Sequence, residues 1–174
     1  MQHPADHITR ILDLMQMNWP SVSVDQAGMV IAAQRLARLF EGIASEVLLP
    51  MGLSAHEFEL LAALRAHPAP HRLTPTELYE AMLISSGGLT KMLKGLEARG
   101  LIHRSVSETD RRSRPVELTK VGRDLVSRAM SAVQKAEAPI FEAMRDEQGS
   151  VRELTSRLIG LAGAAERTDL RHTG

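Results

Sequence analysis

The stretch TPTELYEAMLISSGGLTKMLKGLEARG, from Thr74 to Gly100, predicts two helices joined by a tight turn. Its first four residues are a strong helix start, because a threonine cap, a proline in the first turn and a glutamate three residues after the cap satisfy or remove free backbone donors. Ser85 or Ser86 caps the second helix, and Gly100 suits the left-handed position that follows a helix. Two helices this close in sequence predict a helix-turn-helix.

The second of these helices has two chemically different faces. On a helical wheel, the apolar face consists of Leu89, Met92, Leu93 and Leu96. The opposite face, with Thr90 at its border, carries small and basic residues: Gly87, Lys91, Lys94 and Ala98. Small residues let a helix enter a DNA major groove about 12 Å wide, where lysines reach phosphates or guanine edges. We predict DNA contacts here, with Ser85, Ser86 and the first-turn N–H groups binding phosphate; an ordinary solvated face is the alternative.

A β-hairpin with an arginine-rich tip is predicted next in the chain. Leu101 to Val106 and Pro115 to Leu118 have the character of two strands. Between them lie three arginines, Arg111, Arg112 and Arg114. A narrow minor groove has a negative potential that favours an inserted arginine, so the three are candidate DNA contacts. Asp110 is placed to accept hydrogen bonds and so shape the tip. A solvated turn is the weaker interpretation.

The charge of the chain is zero overall but unevenly distributed. Between Thr90 and Arg114 seven basic residues accompany three acidic ones, a local balance of +4, so the remainder carries −4. Such a distribution suits a protein that meets a polyanion with one surface only.

The composition of the chain limits the classes of protein and of functional site that remain possible. A chain of 174 residues, 44% apolar and 24% charged, is typical of one globular domain. The absence of cysteine excludes disulfides, thiolate metal sites and cysteine nucleophiles. We find no apolar run of about 18 residues and no signal core, so we expect a cytoplasmic protein.

Five further helices are predicted outside the helix-turn-helix, and the first long one and the last one have apolar faces that would pack against a partner. They are predicted at about residues 7–17, 25–49 and 55–66, the last capped by Ser54 with Glu57, and again from the Thr119 cap toward Met144. The last helix carries its seam at Val151, Leu154, Leu158, Leu161 and Ala165. We expect a mainly α protein with a small β-hairpin wing (α+β). Residues 1–174 form one domain, with a winged lobe at about 54–119 and a helical dimerisation core from about 6–49 and 120–168. Packing of the seams within one chain is the alternative to dimerisation.

The central segment resembles the MarR family of bacterial winged-helix transcription regulators. The resemblance rests on LEARGLI (Leu96 to Ile102) after the helix-turn-helix and on DRRSRPVELTKVGRDL (Asp110 to Leu125). The family's wing pattern, Asp-x-Arg followed by Leu-Thr-x-x-Gly, is matched here by Asp110, Arg112, Leu118, Thr119 and Gly122.

This resemblance implies a homodimer that binds double-stranded DNA at a palindromic operator. It implies Arg112 in the minor groove, and the recognition helix would carry Ser85, Ser86, Thr90, Lys91 and Lys94. Members are usually repressors, and many release DNA when a small aromatic or anionic effector binds between the dimer core and the DNA lobe. No cofactor is implied.

The extra N-terminal segment resembles a branch that includes urate-responsive regulators. The candidate effector-binding residues implied by this branch are Trp19, Phe58, Glu59 and Met92. Glu59 stands where the branch has aspartate, and Met92 and Gly95 stand where it has arginines. Another carboxylate or phenolic compound, or no effector, is therefore as compatible as urate, and Trp19 also fits a packing role.

Two other classes compete with a DNA-binding regulator. An enzyme or metal site could be built from His56 with Glu57 and Glu59, or from His67 with His71, but prolines prevent a helix between the last two. We interpret the histidines as scattered surface residues and predict neither an enzyme nor a metal site. A winged-helix module that binds protein instead of DNA is the second alternative.

Overall fold

The computed structural model describes residues 4–82, 86–104, 115–143 and 151–167. These residues contain seven α-helices, a short 3-10 helix at Leu49–Met51 and a three-stranded antiparallel sheet. The elements in chain order are α1 (Pro4–Asn18), α2 (Val24–Leu48), α3 (Ala55–Ala66), β1 (Arg72–Leu73), α4 (Pro75–Met82), α5 (Ser86–Ala98), β2 (Ile102–Arg104), β3 (Val116–Leu118), α6 (Lys120–Ala143) and α7 (Val151–Arg167). The predicted fold class, mainly α with a small β wing, is confirmed.

The helix starts are stabilised by the caps that the sequence predicts. Ser54 and Glu57 form a capping box at α3, in which Glu57 N–H donates to Ser54 Oγ at 3.2 Å and Ser54 N–H donates to Glu57 Oε2 at 2.9 Å. At α4, the backbone N–H and the hydroxyl of Thr74 donate to Glu77 Oε2 at 2.7 and 2.8 Å. These hydrogen bonds to the ionised carboxylate hold the pKa of Glu77 below its usual range. The helix-turn-helix therefore starts where its local sequence directs it to start.

Helix α5 ends in a tight backbone cap. Leu101 N–H donates to the Leu96 carbonyl at 3.0 Å, and Gly100 N–H donates to the Glu97 carbonyl at 2.9 Å. Gly100 adopts a φ of 68°, the left-handed conformation that this motif requires and that the sequence predicts. At the other end, α5 begins at Ser86, one of the two predicted caps. Ser85, the other predicted cap, lies outside the described residues.

The sheet contains a strand that the sequence analysis missed. Its order is β1-β3-β2, and Glu117 in β3 lies opposite Arg72 in β1 and opposite His103 in β2. Only the β2–β3 pair was predicted. Two residues are too few to show the period-two alternation by which strands are recognised in sequence, so β1 is defined by its partner and not by a local pattern. The predicted extension of β2 to Val106 lies outside the described residues.

One apolar core joins the helices of the lobe to the sheet. It extends from Leu48 at the end of α2 to Val133 in α6 and includes residues of every α-helix and strand between them. Its fully buried side chains are Leu48, Leu60, Leu61, Leu64, Leu78, Leu96, Ile102, Val116 and Val126. In α3, Leu60, Leu61 and Leu64 are completely buried, whereas Phe58 and Ala62 are half-buried at the edge of the core.

The wing and α6 meet at the carbonyl oxygen of Leu101, at a contact that we call the Leu101–Gly122 junction. Thr119 N–H donates to this oxygen at 3.1 Å, while the Thr119 hydroxyl donates to the neighbouring Gly100 carbonyl at 2.7 Å and accepts from Gly122 N–H at 3.0 Å. A Cβ atom at Gly122 would collide with the Leu101 oxygen. The Leu-Thr-x-x-Gly pattern thus has a physical cause, because a threonine cap and a residue without a side chain are both needed at this approach.

His71 is buried, so the prediction that the histidines are scattered over the surface is wrong for this residue. It follows the proline-rich turn after α3 and has a φ of 60°. Its Nδ1 is 2.6 Å from the His67 carbonyl oxygen, and its own carbonyl accepts from Leu118 N–H at 3.3 Å. The ring lies inside the lobe, where it serves as the hydrogen-bond partner of the His67 carbonyl, which follows the end of α3 and has no helical N–H partner. His67 itself is exposed, as predicted.

The chain divides into two compact units, Met1–Val133 and Gln134–Gly174. The second unit comprises the last part of α6, which continues past Pro139, and α7. In α7 the seam residues Val151, Leu154, Leu158 and Leu161 are 40 to 46% exposed. Among the described residues no single helix is long and apolar enough to cross a membrane, and the pair Val24–Met51 and Ala55–Ala66 qualifies only when joined across an 84° bend.

Replacing Gly122 by alanine is expected to lower the free energy of unfolding by about 2 kcal/mol or more, because the added methyl group forces α6 away from the Leu101 carbonyl. Gly95→Ala is the matched control, since a Cβ there has no atom within 4 Å and should stabilise α5 by about 1 kcal/mol. Urea denaturation followed by circular dichroism measures both. Equal stability of Gly122→Ala and the unmodified protein would contradict the role assigned to the junction.

Candidate nucleic-acid interface

Helix α5 presents the outward face that the helical wheel predicts. Gly87, Thr90, Lys91, Lys94 and Ala98 are all exposed. On the inward face Leu89, Leu93 and Leu96 are buried in the lobe core, and Met92 is half-buried against it. The core therefore holds the helix in a rotation that leaves two ammonium groups and a set of small residues on the surface of the lobe.

Two glycines on α5 are not required by packing within the lobe. Within the part of the chain that the structure describes, a Cβ atom at Gly87 or at Gly95 would have no neighbouring atom within 4 Å. Each glycine nevertheless costs the helix about 1 kcal/mol relative to alanine. Nothing in the described fold needs a small residue at these two positions. The glycines would instead leave room for another molecule to approach α5 closely.

Several predicted contact residues lie outside the described residues. These are Ser85 before α5, and Asp110, Arg111, Arg112 and Arg114 at the wing tip. Ser86 is described only as the first residue of α5. Strands β2 and β3 are described as far as the pair Arg104 and Val116, which precedes the tip. The β2–β3 pair of the predicted hairpin is therefore present as far as these two residues.

The outer side of the sheet carries an ion pair that sequence reasoning did not find. Arg72 Nη2 and Nε donate to Glu117 Oε2 at 2.8 and 3.2 Å. His103 Nε2 lies 3.7 Å from the same oxygen. The arrangement follows from the register of the sheet, and it was missed because β1 was missed. Glu117 thereby compensates the positive charge of Arg72 at the base of the wing.

Arg99, one of the basic residues of this segment that the structure describes, is engaged with other residues of the lobe. The guanidinium of Arg99 binds the Glu57 carboxylate at 2.9 Å and the Gly52 carbonyl at 2.6 Å. Lys91 and Lys94, in contrast, project from the outward face of α5. The local excess of positive charge is therefore carried by the residues of α5 and of the hairpin, and not by the C-terminal cap of the helix.

The four predicted effector residues lie in different surroundings. Phe58 and Met92 both border the lobe core, where they are half-buried. Glu59 is exposed, with His56 Nδ1 at 3.3 Å from its Oε2. Trp19 follows α1, is 58% exposed and lines an apolar depression of that helix with Ile11, Leu14, Met15 and Asn18. No described contact joins Trp19 to the other three residues.

A second depression, which we call the α3–α6 groove, has the composition of a small-molecule site. It measures about 350 Å³, and its lining consists of Ala62, Arg65, Ala66, Val126, Ser127 and Met130. Apolar walls with one cation and one hydroxyl are suited to an aromatic ring that carries an acidic group. Sequence reasoning did not single out Arg65, because its significance depends on a helix that follows it by about sixty residues.

A metal site is not supported by the described part of the chain. Within it, no group of three or more histidine, aspartate or glutamate side chains is arranged to hold an ion. His56 and Glu59 form a simple exposed pair, and His71 is engaged with a backbone carbonyl.

Comparison with known proteins identifies the family. The model described as MarR family matches residues 51–113. The HTH-type transcriptional regulator PecS of Dickeya dadantii is 30% identical over 140 residues, which cover 80% of this chain and 84% of PecS. The S. aureus MepR–DNA complex shares the fold, with a TM-score of 0.67, 20% identity and coverage of 78% of this chain and 96% of that one.

A MarR family protein of Mycobacterium tuberculosis, in complex with p-aminosalicylic acid, has a TM-score of 0.59 and 29% identity, and the match covers 76% of this chain and 96% of that one. The match to PecS extends over most of both sequences, and the fold and the two-faced helix agree with it. The chain is therefore a member of the MarR family of transcriptional regulators.

Proposed function

We propose that this protein regulates transcription in the cytoplasm as a homodimer that binds a palindromic operator, with α5 in the major groove and the wing arginines in the adjacent minor groove. The observation that carries the proposal is the exposed surface of α5, where Lys91 and Lys94 lie between two glycines, Gly87 and Gly95, that packing of the described residues does not require. The relatives described above are regulators, and MepR was solved with DNA. We therefore favour this function over an enzyme or a module that binds only proteins.

Dimerisation would be provided by the exposed apolar helix faces. Besides the α7 seam, Met29, Val30, Leu36 and Leu39 of α2 are 36 to 54% exposed. Exposed apolar side chains are common at protein interfaces, where association removes them from water. A twofold arrangement would present two copies of α5 to successive turns of the same DNA face, as a palindromic operator requires.

The two lysines of α5 should contribute to operator affinity, whereas an exposed lysine elsewhere on the chain should not. Changing Lys91 and Lys94 together to alanine is expected to weaken operator binding at least about tenfold and to reduce the salt dependence, because phosphate contacts release counterions. Lys135→Ala, at an exposed position of α6, is the control and should bind like the unmodified protein. Fluorescence anisotropy with an operator duplex at two salt concentrations measures both effects. Equal affinities for the double variant and the control would exclude this face of α5 from the interface.

Arg112 is the wing residue that the family pattern assigns to the minor groove. Arg112→Ala is expected to reduce operator affinity by about tenfold or more. The variant lacks the positive charge and the shape complementarity that an arginine provides in a narrow minor groove. Size-exclusion chromatography with light scattering should find the dimer intact. An unchanged gel-shift titration would remove the wing from the mechanism.

Effector control is the second part of the proposal. We propose that an aromatic carboxylate binds in the α3–α6 groove, with Arg65 opposite the carboxylate and with Val126 and Met130 against the ring. The M. tuberculosis relative was solved with an aromatic acid. Binding in the α3–α6 groove would act on the contact between α3 and α6 and so on the position of the lobe.

Titration with p-aminosalicylic acid is expected to release the operator from the unmodified protein. Arg65→Gln should bind the operator equally well but need at least about tenfold more acid for release, because a bidentate charged contact to the carboxylate is lost. Arg38→Gln, an exposed site on α2, serves as the control. Equal release of Arg65→Gln and Arg38→Gln would place effector binding elsewhere, and Trp19→Ala would then test the depression on α1.

A further inference from the structure

Arg99, the residue directly after α5, connects three segments of the lobe. Its Nη1 donates to Glu57 Oε1 at 2.9 Å, and its Nη2 donates to the Gly52 carbonyl at 2.6 Å. Glu57 lies in the first turn of α3, and Gly52 lies between α2 and α3. The guanidinium therefore joins the C-terminal end of α5 to the corner formed by α2 and α3. We call these three residues the Arg99 network.

The backbone is ordered at both ends of the Arg99 network. Arg99 is the cap of α5, and the two hydrogen bonds of Gly100 and Leu101 that close the helix hold its main chain in place. At the other end, Gly52 adopts a φ of 69° in the turn that ends the 3-10 helix, and Leu53 N–H donates to the Leu48 carbonyl at 3.1 Å. Because both ends are ordered by local bonds, the side chain transmits orientation between them.

Glu57 uses both of its carboxylate oxygens in the fold. Oε2 accepts from Ser54 N–H to close the capping box, while Oε1 accepts from Arg99. A glutamine would have one acceptor oxygen and could serve only one of these donors. Glutamine is nevertheless an accepted capping-box residue, so Glu57→Gln keeps a start for α3 while it weakens the link to α5.

The pair is more enclosed than an ordinary surface ion pair. The side chains of Arg99 and Glu57 are 38% and 20% exposed. The ion pair of Arg157 with Glu153 on α7 has a similar length, 2.7 Å, but exposures of 77% and 55%. Reduced contact with water and a guanidinium that donates to two acceptors make the Arg99 network the more strongly orienting of the two.

We propose that Arg99 is a positioning residue for operator recognition. By binding Glu57 and Gly52, it sets the angle at which α5 is presented by α2 and α3, and it does so without touching the DNA. The inference rests on the proposed function, since it assigns Arg99 a part in DNA recognition. Hydrogen bonds to base edges depend steeply on this angle, whereas contacts to phosphates of unrelated DNA tolerate small rotations. The network should therefore affect the ratio of operator affinity to non-specific affinity.

Two substitutions separate positioning from direct contact with DNA. Arg99→Lys keeps the positive charge but loses the planar fork that reaches two acceptors. Glu57→Gln removes a negative charge, which by electrostatics alone would leave unchanged or increase the affinity for a polyanion. The proposal predicts that Glu57→Gln lowers the affinity for the operator, because the hydrogen bond to Arg99 is weakened. A fall in operator affinity for Glu57→Gln cannot come from loss of a phosphate contact.

The experiment measures, by anisotropy at one salt concentration, the affinity of the full-length dimer for the operator and for an unrelated duplex of equal length. Each single variant is expected to lower the ratio of the two affinities by about tenfold, and the double variant by no more than about twice the larger single effect, since both changes break one interaction. The control variants are Arg157→Lys and Glu153→Gln, which alter the exposed pair on α7 and should leave the ratio unchanged.

The outcomes distinguish this inference from the proposed function. If the unmodified protein fails to prefer the operator, the proposed function is wrong. If it prefers the operator but Glu57→Gln binds it equally or more tightly, the positioning role of Arg99 is wrong. Partial unfolding of a variant would lower both affinities by the same factor and leave the ratio intact, and that result also counts against the inference. Independent, multiplying effects of the two substitutions would contradict it as well.

Discussion

The approach of α6 to the carbonyl oxygen of Leu101 is the constraint on which the rest of the lobe depends. That oxygen follows the cap of α5 and precedes β2, so a helix that contacts it touches the end of α5 and the start of the sheet at one place. Thr119 satisfies the carbonyls of Gly100 and Leu101, and Gly122 removes the side chain that would hold α6 away. The end of β3, the start of α6 and the end of α5 therefore cannot move independently.

A protein of zero formal charge can bind a polyanion when its fold separates the charges. Here the lobe core rotates α5 so that Lys91 and Lys94 face outward, while Arg99 and Arg72 are compensated by Glu57 and Glu117. Cations that stabilise the lobe and cations available to a ligand are thus different residues. This division explains how a DNA-binding regulator of the MarR family can have balanced composition and still concentrate positive potential on one surface.

Local patterns predicted the parts of the fold that are determined locally. The caps at Ser54 and Thr74, the end of α5 at Gly100 and the two faces of α5 all follow from spacing within a few residues, and all were confirmed. Strand β1 was missed because two residues show no period, and His71 was misjudged because its burial comes from turn geometry. The partners of Arg99 lie 42 and 47 residues away, and the α3–α6 groove joins distant helices, so neither was visible before the chain was folded. The roles assigned to Ser85 and to Asp110, Arg111, Arg112 and Arg114, which lie outside the described residues, remain predictions.

The most direct test of the account is hydroxyl-radical footprinting of the purified protein on the DNA upstream of its own gene. Two α5 helices related by a twofold axis, each with a wing beside it, predict symmetric protection centred on an inverted repeat, with half-sites about one helical turn apart or at multiples of a turn. Protection should persist in the presence of excess unrelated DNA, which removes non-specific binding. Asymmetric protection over a single half-site would contradict binding by a homodimer. Uniform protection that the competitor abolishes would contradict sequence-specific recognition by α5.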